Sequence, residues 1–390
     1  MSSDSFLEVG FGKIAKKYKN LPIASLDVIV GAKRHGLSVI SDKIYQENKT
    51  KAPKPLLLQL PEDVMRKILE KLNFVAILNL HKTCHDFRNF IQDLQPDSQI
   101  FGIRIQVELD RISFLLDFDK IFEEFYDRNH FRISYENQKK SGVRVSWRLK
   151  TYFSDKSKLL ENSSLLSVFS EDLKVILRHQ KTELRYFDLL FHYPNDQEKR
   201  EYFKILELFQ NLNVPLKIRK FEFSGKGEHE VMEILPFLDP RFLKILKIDV
   251  GKKNANLELQ EIFYLEQWGG VKEAELIGCT TVPWNFESFE KVKISVQVVT
   301  TEQILGFKEV LSTSATLAHV TLTFQHYYTE NDLVENFGAP SLHTDLYEVN
   351  HWKTWRIRVR NSNFAGKRKV IRIERHSDRL QFDIEKLAEN

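Results

Sequence analysis

A six-residue pattern that recurs through the second half of the chain constrains the fold more than any other feature. In each copy the first, fourth and sixth residues are apolar, which is typical of a β-strand with one buried face. The copies begin at Leu184, Ile218, Leu243, Val271, Phe289 and Leu317. They recur at intervals of 18 to 34 residues, close to the spacing of repeated structural units. The pattern therefore predicts one strand for each repeat.

Helix-like segments lie between several of these strands, at residues 198–210, 229–238, 259–268 and 301–311. A strand followed by a helix at this period is the outline of a leucine-rich repeat, whose parallel strands lie side by side. The Asn or Cys expected three residues after the last apolar position occurs only once, as Cys279. We therefore predict a divergent leucine-rich-repeat-like strand–helix solenoid over residues 183–330, in a chain of mixed α+β and α/β class.

The polar residues between the apolar positions of these strands are candidates for contact with a substrate. Successive side chains of a strand point to opposite faces, so these residues share one exposed face. Their charges are of both signs, which favours a protein or peptide over a nucleic-acid backbone, because the latter requires a basic stripe. The set is Lys220, Glu222, Lys247, Asp249, Glu273, Glu275, Lys291, Lys293, His319 and Thr321.

Residues 56–94 form a compact apolar segment with helical periodicity. Pro61 suits a first helical position, where its missing N–H needs no partner. One apolar stripe follows at Val64, Ile68 and Leu72, and a second helix face consists of Leu80, Cys84, Phe87 and Ile91. Residues 74–78 are expected to form a connecting turn or a small helix. Helices this short bury too little surface to stand alone, so the segment predicts a partner.

This segment resembles the F-box, which docks proteins onto a Skp-type adaptor of cullin–RING (SCF) ubiquitin ligases. The Leu60-Pro61 start and the Cys84-x-x-Phe87 end are the most telling parts of the resemblance, although Thr83 stands where the family more often has Val. The resemblance implies an adaptor-binding surface. Its implied contact residues are Leu60, Pro61, Val64, Ile68, Leu69, Leu72, Leu80, Cys84 and Phe87.

Four segments of the repeat region resemble the FTH domain, which lies C-terminal to an F-box in a large family of F-box proteins. They are residues 238–248, 265–276, 286–296 and 302–317, and their signals are apolar spacings together with Gln267-Trp268. The combination implies a substrate-recognition subunit of an SCF-type ligase. In such a subunit the F-box binds the adaptor and the repeats bind a protein target, whose identity the resemblance does not supply.

The segments before and after the F-box complete the expected organisation. Residues 1–49 fit two short helices in a buried hairpin or a helix-turn-helix, or else a loosely ordered lead-in, and residues 50–55 are a Pro- and Lys-containing linker. Residues 95–182 are a connecting helical and β region. Within it we expect a helical end at residues 117–126, a hairpin of Phe131–Tyr135 with Val143–Leu149, and a helix over residues 170–180 capped by Ser170.

Residues 331–390 are expected to form a C-terminal β-hairpin and cap. Arg356, Arg358 and Arg360 share one face of its first strand. This face is either the solvated side of an edge hairpin or a surface for an acidic or phosphate-bearing partner. With the N-terminal helices, the Arg-rich tail makes a nucleic-acid-binding protein the alternative to a ligase subunit. A non-catalytic interaction scaffold is a further alternative.

The composition and motifs favour an intracellular protein without catalytic chemistry. The two cysteines, Cys84 and Cys279, fall in apolar patterns and indicate a reducing compartment, and no run of 18 apolar residues exists. His81, Cys84 and His85 are too few for a zinc site of about four ligands, so we expect no metal. No phosphate-binding loop or nucleophile motif is present, so we expect no cofactor and no enzymatic activity.

Overall fold

The computed structural model describes residues 60–118, 130–138, 141–149, 156–192, 205–210, 215–251, 257–280, 285–327, 330–344, 351–358, 368–375 and 379–387, with single-residue gaps at 73, 82, 84, 208 and 287. The chain divides into two compact units. The first comprises Met1–Gly102 with Asp110–Thr182, and the second Ile103–Leu109 with Glu183–Asn390. The predictions for residues 1–55 lie outside the described residues. No described helix is long and apolar enough to cross a membrane.

Three short helices open the first unit: α1 (Glu62–Leu69), α2 (Phe74–His81) and α3 (His85–Leu94). The helix α1 begins one residue later than predicted, and the Pro61 carbonyl accepts the Val64 N–H at 3.0 Å. Leu69, Ile77 and Ile91 form the shared core of the three helices. The second apolar face was wrongly expected on one helix, because Leu80 lies on α2 whereas Phe87 and Ile91 lie on α3.

An antiparallel sheet and one helix complete the first unit. The strand β1 (Gly102–Glu108) falls almost wholly in the second unit, and the first unit contains β2 (Arg111–Asp117), β3 (His130–Asn137), β4 (Val143–Leu149) and β5 (Lys156–Leu160). Each of the strands β2 to β4 pairs antiparallel with the next, which confirms the predicted hairpin of β3 and β4. Sequence analysis missed β1 and β2, and most of the helical end predicted after Asp117 lies outside the described residues.

The helix α4 (Leu165–Arg178) packs on this sheet, and its start differs from the prediction. The Tyr135 hydroxyl of β3 donates a 2.8 Å hydrogen bond to the buried Asp172 carboxylate of α4. The cap of the helix is Ser164, whose hydroxyl accepts the Ser167 N–H, and not Ser170. The predicted start was wrong because Glu171 and Asp172 after Ser170 resemble the acidic first turn of a helix, whereas the true cap Ser164 is followed by Leu165.

Six parallel strands in chain order form the centre of the second unit, which confirms one strand for each repeat. They are β6 (Leu184–Phe191), β7 (Ile218–Ser224), β8 (Ile245–Asp249), β9 (Glu273–Cys279), β10 (Lys291–Val299) and β11 (His319–Tyr327). The fourth and sixth residues of the repeats are buried on one face, as at Phe221 and Phe223. The apolar spacing is a local property, so the sequence identifies these strands correctly.

The structure shows a mixed sheet rather than a leucine-rich-repeat solenoid. Several connections between the parallel strands contain only short helices: α5 (Glu228–Met232), a 3₁₀ turn at Leu235–Phe237, a second one at Ile262–Tyr264, and α6 (Glu266–Gly270). The longer α7 (Thr301–Thr313) precedes β11 and begins with a capping box made by Thr300 and Gln303. Beyond β11 the sheet continues with antiparallel strands, which a solenoid of strand–helix units would not contain.

The last part of the chain adds α8 (Glu330–Phe337) and four strands to the second unit. These are β12 (Ser341–Thr344), β13 (His351–Arg358), β14 (Arg368–Arg375) and β15 (Arg379–Leu387), in the spatial order β12-β13-β14-β15-β11. The predicted hairpin of β13 and β14 is confirmed. Its first strand is not an edge, because β12 pairs with the other side of β13. Arg356 is exposed, and Arg360 lies outside the described residues.

Candidate functional surfaces

The helix α1 carries apolar side chains on two of its faces. Met65 and Leu69, which are 4% and 1% exposed, point into the core of the first unit. Val64 is 41% exposed, Pro61 is exposed, and Ile68 is partly exposed. These three residues follow each other at intervals of three and four, so they form one outward apolar row. An apolar row of this kind is typical of a surface that binds another protein.

The other predicted docking residues fall into distinct groups. Leu60, Leu72 and Leu80 are partly exposed, so part of each side chain can meet a partner. Leu69 and Phe87 are 1% and 4% exposed and pack within the helices, where they support the surface instead of contributing area to it. Cys84 lies outside the described residues.

Residues 97–100 tie the end of α3 to the end of α4 within the first unit. The Ser98 N–H donates to the His179 carbonyl at 2.8 Å, and the Asp97 carboxylate accepts the Lys181 N–H at 3.0 Å. The Gln180 side chain bonds both the N–H and the carbonyl of Ile100, at 3.2 and 2.9 Å. Backbone groups are therefore paired along this connection, which fixes the orientation of α3 against the rest of the first unit.

The ten predicted substrate-facing residues lie together on one face of the parallel strands, and several of them pair with each other. Neighbouring strands bring Glu222 opposite Lys247, and Lys247 opposite Glu275. The Lys247 ammonium lies 3.1 Å from Glu222 and 3.9 Å from Glu275, and Lys220 lies 3.2 Å from Glu222. Burial acts to raise the pKa of Glu222, but the two lysines outweigh it and lower that pKa below its ordinary value. We call the paired residues Lys220, Glu222, Lys247 and Glu275 the charge ladder.

The charge ladder extends to a residue pair that sequence analysis missed. Asp188 of β6 lies opposite Glu222. The Arg104 guanidinium of β1 lies 2.7 Å from the Asp188 carboxylate. Burial raises the pKa of Asp188, although the nearby Arg104 acts in the opposite direction. No local pattern marks this pair, because the two residues are 84 positions apart and meet only through strand pairing.

A second polar cluster centres on His319 at the junction of the parallel and antiparallel strands. His319 Nδ1 bonds Asp383 of β15, and its Nε2 lies 3.0 Å from the Thr321 hydroxyl. Asp383 also accepts hydrogen bonds from Arg372 and Gln381, both at 2.9 Å. Burial opposes ionisation of Asp383, but these hydrogen bonds outweigh it and hold the pKa of the carboxyl below its ordinary value.

The series of Asp383, His319 and Thr321 has the order of groups used in nucleophilic catalysis. Such catalysis also requires N–H donors aimed at a developing oxyanion. Thr321 lies within β11, between β10 and β15, so the backbone groups beside its hydroxyl pair within the sheet. These backbone N–H groups are therefore not available as oxyanion donors, and the hydrogen bonds of Asp383 and His319 join the strands at this junction.

Gln267 and Trp268 of α6 bond the backbone of neighbouring connections. The buried Gln267 amide donates to the carbonyls of Pro236 and Leu238, at 3.1 and 2.8 Å. The Trp268 ring N–H donates to the Asn285 carbonyl at 2.8 Å. One short helix thus links the connection that precedes it to the one that follows it, which gives this residue pair a structural role.

Cys279 is buried at the end of β9, and burial raises the pKa of its thiol to about 12. A thiol with so high a pKa is protonated at neutral pH and is a poor nucleophile. Among the described residues, no group of three or more His, Cys, Asp and Glu side chains is arranged to hold a metal ion.

Comparison with known families agrees with these features. An F-box domain model matches residues 57–99, which include α1, α2 and α3. An FTH domain model matches residues 199–340, which include the strands β7 to β11. The chain is therefore an F-box protein with an FTH domain C-terminal to the F-box. No curated protein and no solved structure matches the chain.

Proposed function

We propose that the protein is a non-catalytic substrate-recognition subunit of an SCF-type cullin–RING ubiquitin ligase. F-box domains generally dock on Skp-type adaptors of these ligases. The observation that carries the proposal is the outward row of Pro61, Val64 and Ile68 on α1. Full burial of a Val or Ile side chain stabilises an interface by about 1.5–3 kcal/mol, so such a row supplies a useful share of a docking energy. This role places the protein inside the cell.

The remaining docking residues have two roles in this proposal. Leu60, Leu72 and Leu80 extend the apolar row, while Leu69 and Phe87 hold the helices that present it. Cys84 belongs to the docking segment by its place in the F-box pattern. The adaptor thus binds a preformed surface, and a change in the supporting residues weakens binding only through the fold of the three helices.

We further propose that the open polar face of β7 to β11 contacts the target protein. Its members differ in how freely they can bind a partner. Lys220, Glu222, Lys247 and Glu275 already pair within the charge ladder, His319 and Thr321 pair within the second cluster, and Asp249 accepts the Gly251 N–H. Glu273, Lys291 and Lys293 form no ion pair with another described residue, so they can contact a target without first breaking a native pair.

Binding of purified Skp-type adaptor to the full chain, measured by calorimetry, tests the docking claim. Val64→Glu places a charge in the outward row and should weaken binding at least about tenfold, because an unpaired charge in an apolar interface is costly. Leu60→Ala with Pro61→Ala should also weaken binding. The matched control is Arg88→Glu, an exposed position on α3 outside the proposed surface. Circular dichroism shows that each variant folds.

Two outcomes would count against this function. If wild-type protein fails to bind the adaptor, the docking claim is wrong. If Val64→Glu and the Leu60-Pro61 variant both bind as well as Arg88→Glu, then the adaptor uses a different surface from the row on α1.

A further inference from the structure

Four basic residues lie side by side where neighbouring parallel strands of the second unit begin. Arg185 is on β6, Arg219 is on β7, and Lys244 and Lys272 stand just before β8 and β9. The register of β6 and β7 pairs Tyr186 with Lys220, so the residues before them are also neighbours. The Lys244 N–H donates to the Arg219 carbonyl at 2.9 Å, and the Lys272 N–H donates to the Lys244 carbonyl at 2.8 Å. We call these four residues the basic row.

The basic row differs in its electrostatics from the charge ladder of the same strands. In the ladder, each acidic residue has a basic partner: Arg104 pairs with Asp188, and Lys247 pairs with Glu222 and Glu275. In the basic row four positive charges stand on adjacent strands, roughly 4.8 Å apart, and like charges in this arrangement destabilise a sheet. Within the described part of the chain, Arg219, Lys244 and Lys272 form no ion pair, and the Lys272 ammonium meets only the Ser288 carbonyl, at 3.3 Å. The repulsion between Arg219 and Lys244, whose strands are hydrogen-bonded at this position, is therefore not offset by an ion pair of either residue.

An aromatic side chain and two further cations stand next to the basic row in the sequence. The Lys217 ammonium lies 5.7 Å from the centroid of the Phe242 ring, and the Arg241 guanidinium lies 5.9 Å from it. Arg241 is highly exposed and is neutralised by Asp239 at 2.6 Å. Phe242 is partly exposed, so it offers apolar contact area beside the four charges.

The basic row is short, and an acidic residue ends it. The next strand position is Glu290, whose N–H donates to the Lys272 carbonyl at 2.8 Å. Four strands at their usual separation span about 14 Å, which equals the length of roughly four extended residues. The row carries one positive charge at each strand, so it matches single charges spread along an extended chain better than one compact phosphate group.

We propose that the basic row binds a segment of about four residues, rich in Asp and Glu, of a partner protein. Each carboxylate then lies near one strand start, and the segment offsets the repulsion between Arg219 and Lys244. A nucleic acid fits less well, because the row stops at Glu290 and the net charge of the whole chain is only +4. Calling the bound segment part of a ubiquitination target rests on the function proposed above, whereas the binding itself does not.

Fluorescence anisotropy with the full chain tests this inference. The probe is a labelled peptide that contains Asp-Glu-Asp-Glu between Gly-Ser flanks. Three competitors are the same peptide with Asn and Gln in place of the acids, a peptide with a single phosphoserine, and a single-stranded oligonucleotide. We expect the acidic peptide to bind most tightly of the four and its affinity to fall as salt rises.

Variants locate the binding on the basic row. Arg219→Glu with Lys244→Glu should weaken binding of the acidic peptide by about tenfold or more, because both substitutions replace attraction by repulsion. Lys156→Glu is the matched control, since it reverses an exposed lysine on β5 of the first unit, which belongs to neither proposed binding surface. The single variant Arg219→Gln should lower affinity and raise the melting temperature, because it relieves repulsion within the row. If Arg219 had only a structural role, its replacement would not lower the affinity while raising the melting temperature.

Three results would overturn the inference. They are equal binding of the neutral peptide, tighter binding of the phosphopeptide or the oligonucleotide, and full affinity in the double variant. Adaptor binding is measured on the same samples. A chain that binds the acidic peptide but no adaptor leaves the inference standing and removes the proposed function, and a chain that binds only the adaptor does the reverse.

Discussion

Gln267 shows how one side chain can hold two irregular connections in place. Its amide satisfies two carbonyls that precede β8, and loss of a buried partner leaves such groups unpaired. We expect Gln267→Ala to lower the free energy of unfolding by about 2 kcal/mol, which is typical for buried unsatisfied groups. Urea denaturation measures the loss. Gln297→Ala, at an exposed position of β10, should change stability by less than about 0.5 kcal/mol. Equal effects of the two changes would contradict the role given to Gln267.

Cys279 gives a second test at the scale of a single residue. Its thiol is buried and its pKa is about 12, so almost none of it is ionised near pH 8. We expect no alkylation of Cys279 in the native protein and complete alkylation in denaturant. Labelling followed by peptide-resolved mass spectrometry reports Cys279 separately from Cys84. Rapid native labelling at this position would show that the end of β9 opens readily.

At the scale of elements, the junction of β11 and β15 should be sensitive to acid. The folded protein holds the pKa of Asp383 below its unfolded value of about 3.9. The carboxylate therefore stabilises the fold above about pH 4, and this contribution is lost as the pH falls through the folded pKa. Asp383→Asn should cost about 2 kcal/mol at pH 7 and flatten the fall of stability towards pH 2. Denaturation curves at several pH values measure both effects.

The exposed Asp93 of α3 provides the control for this change. Asp93→Asn should leave both the stability at pH 7 and the acid slope nearly as they are in the wild type. If Asp383→Asn retains the full acid slope, then other carboxyl groups cause the loss of stability and the junction does not depend on Asp383.

The same elements show which parts of the fold a sequence can predict. The strands β6 to β11 were predictable, because burial of the fourth and sixth residues of each repeat is a local pattern. The pairing of β11 with β15 was not, since it joins His319 to a residue 64 positions away. The outward face of the strands was also predictable from their alternation, but its ion pairs depend on register. For this reason sequence analysis proposed as free contacts several residues that the structure pairs with each other.

At the scale of the whole molecule, we expect adaptor binding and binding of the acidic segment to be separable. Val64 belongs to the first unit, whereas Arg219 and Lys244 belong to the second. Val64→Glu should therefore weaken adaptor binding at least about tenfold and retain the affinity for the acidic peptide. Arg219→Glu with Lys244→Glu should weaken binding of the acidic peptide and retain the affinity for the adaptor.

The combined variant distinguishes two independent surfaces from one coupled surface. Changes that share no binding partner add in free energy, so the combined variant should show each loss at the size found in the separate variants. Calorimetry with the adaptor and anisotropy with the peptide, each repeated with the other partner at saturation, measure any coupling. A change in one affinity of more than about threefold when the other partner is bound would show that the surfaces communicate.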